Sequence, residues 1–419
     1  MKVLLVGGGG REHALAWKIS QSALLTQLFI APGNAGTSSF GTNIDITETD
    51  LEGLLHFVES QDVDLTIVGP EAPLAAGIVD RFSDNNRDIF GPKAGPARLE
   101  SSKSFAKSLM RKWHIPTANS TLFHDHKQAA THLKQLTTYP TVIKADGLAS
   151  GKGVYICRDE KEAYKAIKDL MVTRIFGDAG KLILIEEFLV GPEVSVFTFT
   201  DGTNISPIIA ACDHKRIGEG DTGLNTGGMG AFSPPSFWSP SLENEITTEI
   251  LKPIVRAMQT DVTPFIGTIF AGLMITAEGP KVVEFNCRLG DPETQVIIPL
   301  LQTDLLNVFK SCVHGNLGPK DVIWDDKASV SVVMASGGYP AKYNTGYEIS
   351  GLHKIKDPVN IFHAGTRTNE SGSVVTNGGR VLSVCATGSS IYETSDIVYQ
   401  NIDKIDFKDK YVRRDIASR

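Results

Sequence analysis

Three side chains in the stretch "KVVEFNCRLGDPETQ" (residues 281–295) could hold a metal ion beside a phosphate. Successive side chains of an extended strand alternate faces, so Glu284, Asn286 and Arg288 share one face and Val283, Phe285 and Cys287 the other. The second set is expected to pack inward. The first presents an anion, a neutral oxygen ligand and a cation in a row. Carboxylate and amide oxygens are hard ligands that suit Mg²⁺, which completes its shell with phosphate oxygens and water. Arg288 adds a planar fork for a phosphate or carboxylate. The turn that follows adds Asp291 and Glu293 at the same end, a density of charge that a solvated strand edge does not require.

Other pieces fit the same ligand. "KADGLASGKGV" (144–154) looks like a phosphate loop, but a P-loop needs Ser or Thr after its lysine, and Lys152 is followed by Gly153. Glycines here let backbone N–H groups approach phosphates. Lys103 and Lys144 each stand beside a helix or strand boundary and could meet those phosphates. "IEEFLVGPEVSV" places Glu186, Glu187 and Glu193 around a short connector. Backbone groups near Glu187 and Leu189 could pair with an adenine edge, and Glu193 with ribose hydroxyls.

These residues need a scaffold. "KVLLVG", "QLFIAPG" and "VDLTIVGP" read as buried strands, with helices "REHALAWKISQS" and "DLEGLLHFVESQ" between them, which implies a parallel sheet covered on both faces. Ligands of such sheets bind at turns on the carboxyl ends of the strands. The turns "GGGGRE", "APGNAG" and "VGPEAPL" nominate Gly9, Arg11, Asn34 and Glu71. A nicotinamide site is disfavoured. The third fingerprint glycine falls on Glu12 or His13, and the second strand ends without an acid. A boundary is expected near residue 102. Beyond it, "KLILIEEF", "EVSVFTFT" and "KVVEFN" look antiparallel, and "TGLNTGGMGAFSPPSFWSP" (222–240) reads as an ordered loop. After about residue 327, short β-rich pieces suggest a small terminal α+β domain.

The motifs converge on a family. Lys103, Lys144, the glycine loop, "EEFLVGPE" and the Glu-x-Asn-x-Arg strand occur in the order seen in ATP-grasp ligases. "GGGGREHAL", "APGNAG", "VGPEAPL", "KADGLASGKGV", "DHKR", "NTGGMGAFSP", "EFNCRLGDPETQ", "ASGGYP", "HAGT" and "YVRRDI" resemble the phosphoribosylamine–glycine ligases (glycinamide ribonucleotide synthetases), from residue 1 to about 416. The resemblance implies an α/β N-terminal domain (1–102), a central α+β ATP-grasp domain (103–326) with a mobile lid at about 120–188, and an α+β C-terminal domain (327–419). It implies that ATP is a co-substrate with Mg²⁺ or Mn²⁺. Lys103, Lys144, Gly151 and Gly153 would meet its phosphates, with Lys152 at the loop tip. Glu186, Glu187 and Leu189 would form the adenine hinge, Glu193 would bind ribose, and Glu284 and Asn286 would hold the metal. Many ATP-grasp enzymes carry a second acidic ligand about twelve residues upstream, whereas "FAGLMIT" has none.

The implied reaction phosphorylates the carboxylate of glycine and then lets the amine of 5-phosphoribosylamine expel phosphate. Both steps build charge on oxygens, which the metal, Lys144 and Arg288 would stabilise. "DHKR" (Asp213, His214, Lys215, Arg216) is expected near the acyl centre. Arg216 or Arg288 would hold the glycine carboxylate, Asp213 or Asp291 would bind an ammonium or take its proton, and Gly290 would lie beside them. Composition agrees with such an enzyme. The 419 residues carry net charge −7 with no block of like charge, which speaks against a nucleic-acid or membrane-surface partner. No stretch approaches the roughly 18 apolar residues of a membrane span. The five cysteines form no C-x-x-C, as suits a reduced, cytoplasmic protein. A monomer is expected.

Overall fold

The computed structural model describes residues 1–149 and 153–418. The first hundred residues form a five-stranded parallel sheet in the order Thr42–Asn43, Gln27–Pro32, Lys2–Gly7, Leu65–Val68, Ile89–Phe90. Its strands read as continuous apolar runs because both faces are covered. Val3 and Leu5 pack on one side with Leu15, Ile19 and Ile30; Leu4 and Val6 pack on the other with Leu54, Val58 and Phe82. The first face merges with Phe197, Phe199 and Phe270 of the next layer, so the N-terminal sheet shares its core with the centre of the molecule. The strand order reverses beside Lys2–Gly7. The turns carrying Arg11 and Glu71 therefore open on neighbouring strand ends.

The central layer is antiparallel throughout. Gly279–Asn286, Ile266–Thr276, Glu193–Asp201, Ile209–Asp213, Gly230–Ser233, Ala328–Ser336, Arg380–Gly388 and Val359–His363 pair in that order, and Lys410–Val412 adds to Ala328–Ser336. Two expectations need correction. The segment 222–240 is not all loop, since Thr222–Asn225 forms a hairpin with Arg216–Gly218 and Gly230–Ser233 is a fully buried strand. Glycine is required there for close packing: a Cβ at Gly230 would stand 2.6 Å from the Ser331 carbonyl oxygen. Because Gly230–Ser233 pairs with Ala328–Ser336, the C-terminal strands continue the central sheet. They have their own core of Val332, Met334, Leu382 and Val384 under helix Ile391–Ile402.

The second correction concerns Val283. Glu284 pairs with Gly272, but Val282 pairs with the next residue, Leu273, so Val283 is the extra residue of a β-bulge. Val282, Phe285 and Cys287 are buried as an inward face should be, while Val283 turns to the cavity. A separate four-stranded sheet, Ser120–Phe123, Ile183–Glu187, Thr141–Ala145 and Val154–Cys157, carries helices His126–Leu133 and Glu160–Ile167 over its own core. This body corresponds to the segment expected to act as a lid.

Candidate active site

A cavity of about 1040 Å³ opens where the parallel sheet, the end of the antiparallel sheet and the four-stranded sheet meet. Lys103 enters it from the first turn of helix Lys103–Lys112, which Ser102 caps by accepting from the Phe105 N–H. Its Nζ donates to the Gly147 carbonyl at 3.3 Å. Lys144 is buried; its Nζ donates to the Val283 carbonyl at 3.1 Å and lies 3.0 Å from Glu186 Oε2. Burial lowers the Lys103 pKa, and Glu284 opposes that shift. Gly153, Leu148, Ile156 and Leu189 also face the cavity. Gly151 and Lys152 lie outside the described residues.

Glu284 is the anionic centre. Burial pushes its pKa up, but Lys215, Lys144, Lys103 and Arg288 surround it and hold it below the usual carboxylate range. Asn286 shares its face, accepts weakly from Arg288 at 3.4 Å, and leaves its buried Nδ2 without a partner among the described residues. Its amide oxygen is a neutral hard donor on the same strand face as the Glu284 carboxylate. That donor set fits a hard divalent cation. Among the described residues no group of three or more His, Cys, Asp or Glu could hold a metal by itself, so phosphate oxygens and water would complete the shell.

Arg288 is fixed from below. Its guanidinium lies 3.0 Å from Glu100 and 3.3 Å from Glu71. Burial pushes the Glu100 pKa up against the opposing arginine, while Glu71 is pulled down by Arg288 and Arg11 despite its own burial. Lys215 sits 2.7 Å from Glu193 and 4.0 Å from Asp213. Against burial, Asp213 and then Glu193 raise its pKa. Asp213, buried and facing Glu293, is pushed up to about 7. Glu293 is also raised by burial and accepts from Ser195 Oγ at 3.2 Å. Arg216 lines the cavity from the hairpin, where it donates to the Gly223 carbonyl.

Several nominated residues are tied to neighbouring parts of the chain by their hydrogen bonds. The Gly9 N–H donates to Glu12 and the Arg11 N–H to Asp291, so two carboxylates already occupy this helix N-terminus. Asn34 donates to the Gly8 and His363 carbonyls and accepts from the Gly36 and Thr37 N–H groups, which makes it a strap between N- and C-terminal parts. Asp291 accepts from the Arg11 N–H and from Gln295 and lies 3.3 Å from Arg380; burial raises its pKa, but Arg380 and Arg11 hold it below the usual carboxylate range. The Gly290 carbonyl accepts from Thr294, and the missing side chain makes room for the Glu293 carboxylate. The His214 ring is buried against Arg413 and the Ala417 N–H. Glu187 turns away from the cavity, and its carboxylate accepts from Asn119.

Sequence reading passed over Glu100, Lys107 and Arg380, and gave Glu293 no role. Glu293 stood in the charged turn after the Glu-x-Asn-x-Arg strand, and Lys107 follows Lys103 by four residues on one helix face. Glu100 and Arg380 reach the cavity through tertiary packing alone.

Residues 1–100, 101–294 and 329–419 match the N domain, the ATP-grasp (A) domain and the C domain of phosphoribosylglycinamide synthetase. The chain belongs to the phosphoribosylglycinamide synthetase family. It is 46% identical over its whole length to a phosphoribosylamine–glycine ligase of Caldanaerobacter subterraneus, all of which is covered. It is likewise 46% identical to that of Yersinia pestis, covering 99% of it. The crystal structure of the Thermotoga maritima phosphoribosylamine–glycine ligase superposes with a TM-score of 0.87 at 32% identity, over 99% of this chain and 100% of that one. A biotin carboxylase of Campylobacter jejuni shares the fold, at TM-score 0.75 and 12% identity over 99% and 94% of the two chains. The family's three-part layout explains why the cavity takes residues from all parts of the chain: Arg11 from the first, Glu284 from the second and Arg380 from the third.

Proposed function

We propose that this chain ligates glycine to 5-phosphoribosylamine with ATP, giving glycinamide ribonucleotide, ADP and phosphate, a step of purine biosynthesis. The observation that carries the reading is the ionised Glu284 among Lys103, Lys144, Lys215 and Arg288, in a chain matched end to end by ligases of that name. A carboxylate is a poor electrophile because it would have to expel oxide. Transfer of the γ-phosphoryl group to glycine gives glycyl phosphate, and the amine of phosphoribosylamine then attacks the acyl carbon and expels phosphate. Catalysis needs positioning and charge stabilisation more than covalent chemistry.

Lys103 and Lys144 hold the ATP phosphates, and the glycine loop around Gly153 closes over them. The connector from Glu186 to Leu189 reads adenine through backbone groups, and Glu193 binds ribose. Glu284 and Asn286 hold Mg²⁺ or Mn²⁺, which would neutralise charge on the phosphate oxygens. Arg288, fixed by Glu100 and Glu71, and Arg216 stabilise carboxylate or phosphate. Asp213, with its raised pKa, takes an ammonium proton, and Lys215 stabilises charge at the acyl centre. An acyl phosphate must be kept from water. The body at about 120–188 closes as the lid, with Leu148 and Ile156 as apolar contacts on its cavity side. The domains are taken as 1–102, 103–326 and 327–419. The protein works as a cytoplasmic monomer. No helix among the described residues is long and apolar enough to cross a membrane. The test is ADP release in single-omission mixtures. Steady-state ADP release should require glycine, phosphoribosylamine, ATP and divalent metal together, with no more than one ADP per enzyme when only the amine is omitted. Undiminished ADP formation without the amine and glycine would overturn the reading.

A further inference from the structure

Behind the proposed phosphate lysines lies a second cation that the reaction scheme leaves unused. Lys107 sits one turn beyond Lys103 on the same helix and is 6% exposed. Its Nζ donates to Thr117 Oγ1 at 2.8 Å and to the Ala118 carbonyl at 3.1 Å, and lies 3.3 Å from Glu186 Oε1. Thr117 in turn donates to the Val282 carbonyl at 2.6 Å. An ammonium has three N–H groups; two of those on Lys107 are spent on Thr117 and Ala118, and its charge is paired with Glu186. Glu186 spends its other oxygen on Lys144, 3.0 Å away, and Lys144 also donates to the Val283 carbonyl. Those two partners leave one N–H of Lys144 for the cavity.

One carboxylate is shared between two buried ammonium groups, so removing either ammonium changes how that carboxylate holds the other. The elements matter as well. Lys107 belongs to the central body, whereas Glu186 and Lys144 belong to the sheet of the lid. We propose that Lys107 is a positioning residue for ATP: by fixing Glu186 it aims the remaining N–H of Lys144 at the nucleotide phosphates and seats the lid sheet on the central body. This rests on the ligase reading above. Without Lys107, both oxygens of Glu186 are free to chelate Lys144 and draw it from the Val283 carbonyl.

The test is calorimetric titration of the full chain with Mg-ATP, alongside steady-state kinetics. Lys107→Met should weaken Mg-ATP binding by about tenfold, and Lys107→Arg should restore most of it. The double variant Lys107→Met with Lys144→Met should bind no more weakly than Lys144→Met alone, because Lys107 acts only through Lys144. KM for ATP should rise while KM for glycine stays unchanged. Wild-type affinity in Lys107→Met, or losses that multiply in the double variant, would overturn the inference. If Lys107→Met does not fold, Thr117→Val removes one anchor and keeps every charge; it should still weaken Mg-ATP by about threefold, and unchanged affinity there would sink the idea equally. Failure of the wild-type chain to bind Mg-ATP would instead sink the ligase reading.

Discussion

The Lys144 ammonium donates to the carbonyl of Val283 across 3.1 Å, joining the lid sheet to the strand that carries Glu284. Val283 is the bulge residue of that strand, and the bulge turns its carbonyl toward the lysine. The proposed phosphate-binding and metal-binding groups are thus held in register by one backbone contact. Lys144→Met should lower kcat/KM for ATP by about 10²–10³, the usual effect of losing one preorganised donor to developing phosphate charge. Initial rates of ADP release at saturating glycine would check it. A loss below about threefold would remove Lys144 from the phosphate site.

Glu284→Gln keeps the shape of the side chain and removes the charge that four cations surround. Turnover should fall below detection in ADP-release assays, while the thermal midpoint stays within a few degrees of wild type. Raising Mg²⁺ should not restore activity, because the ligand is changed and not merely weakened. Near-normal turnover would take Glu284 out of the metal site.

Asp213 should appear in the pH profile. Its carboxyl, pushed up to about 7 by burial and by Glu293, loses its proton only as pH rises through neutrality. A group that must be deprotonated to accept a proton from the attacking amine of phosphoribosylamine makes kcat/KM for that amine rise through that range and then level. Asp213→Asn should lower the plateau by about 10²–10⁴ and abolish the rise. An unchanged limb in the variant would assign it to another group.

Acid stability should depend on two buried imidazoles at the joint between N- and C-terminal parts. His13 Nδ1 accepts from the His363 backbone N–H, and the two rings lie 5.3 Å apart. Burial lowers His13 to about 3 and His363 to about 4, from an ordinary value of 6.5. Both are neutral when folded, and the unfolded chain binds more protons below pH 6.5. Their contribution is therefore complete above about 6.5 and is lost as pH falls toward 4 and 3. The urea midpoint should drop between pH 7 and pH 5, and His13→Asn, which keeps an acceptor but cannot titrate, should flatten that drop. Equal slopes for the two proteins would contradict the assignment.

The sequence made legible whatever depends on local pattern. Alternation placed Glu284, Asn286 and Arg288 on one face, and unbroken apolar runs marked the doubly covered parallel sheet. It could not reveal the bulge at Val283, because a bulge depends on the partner strand and leaves no trace in period two. Gly230–Ser233 was hidden because its glycine, punctuation in most contexts, serves close packing against Ser331. Among cavity-lining residues, those inside motifs were legible, but a motif does not distinguish contact from support. Asn34 and Asp291 stand in recognisable turns, yet their hydrogen bonds are spent on holding three parts of the chain together. Glu100 and Arg380 were invisible because they meet Arg288 and Asp291 only after folding.

The claim that glycine is activated by phosphorylation is tested most directly with glycine carrying oxygen-18 in its carboxylate. Transfer of the γ-phosphoryl group to that carboxylate, followed by attack of the amine, leaves one labelled oxygen in each released phosphate. Mass spectrometry of the phosphate should therefore show one oxygen-18 per product molecule. Formation of glycinamide ribonucleotide with unlabelled phosphate would contradict the account.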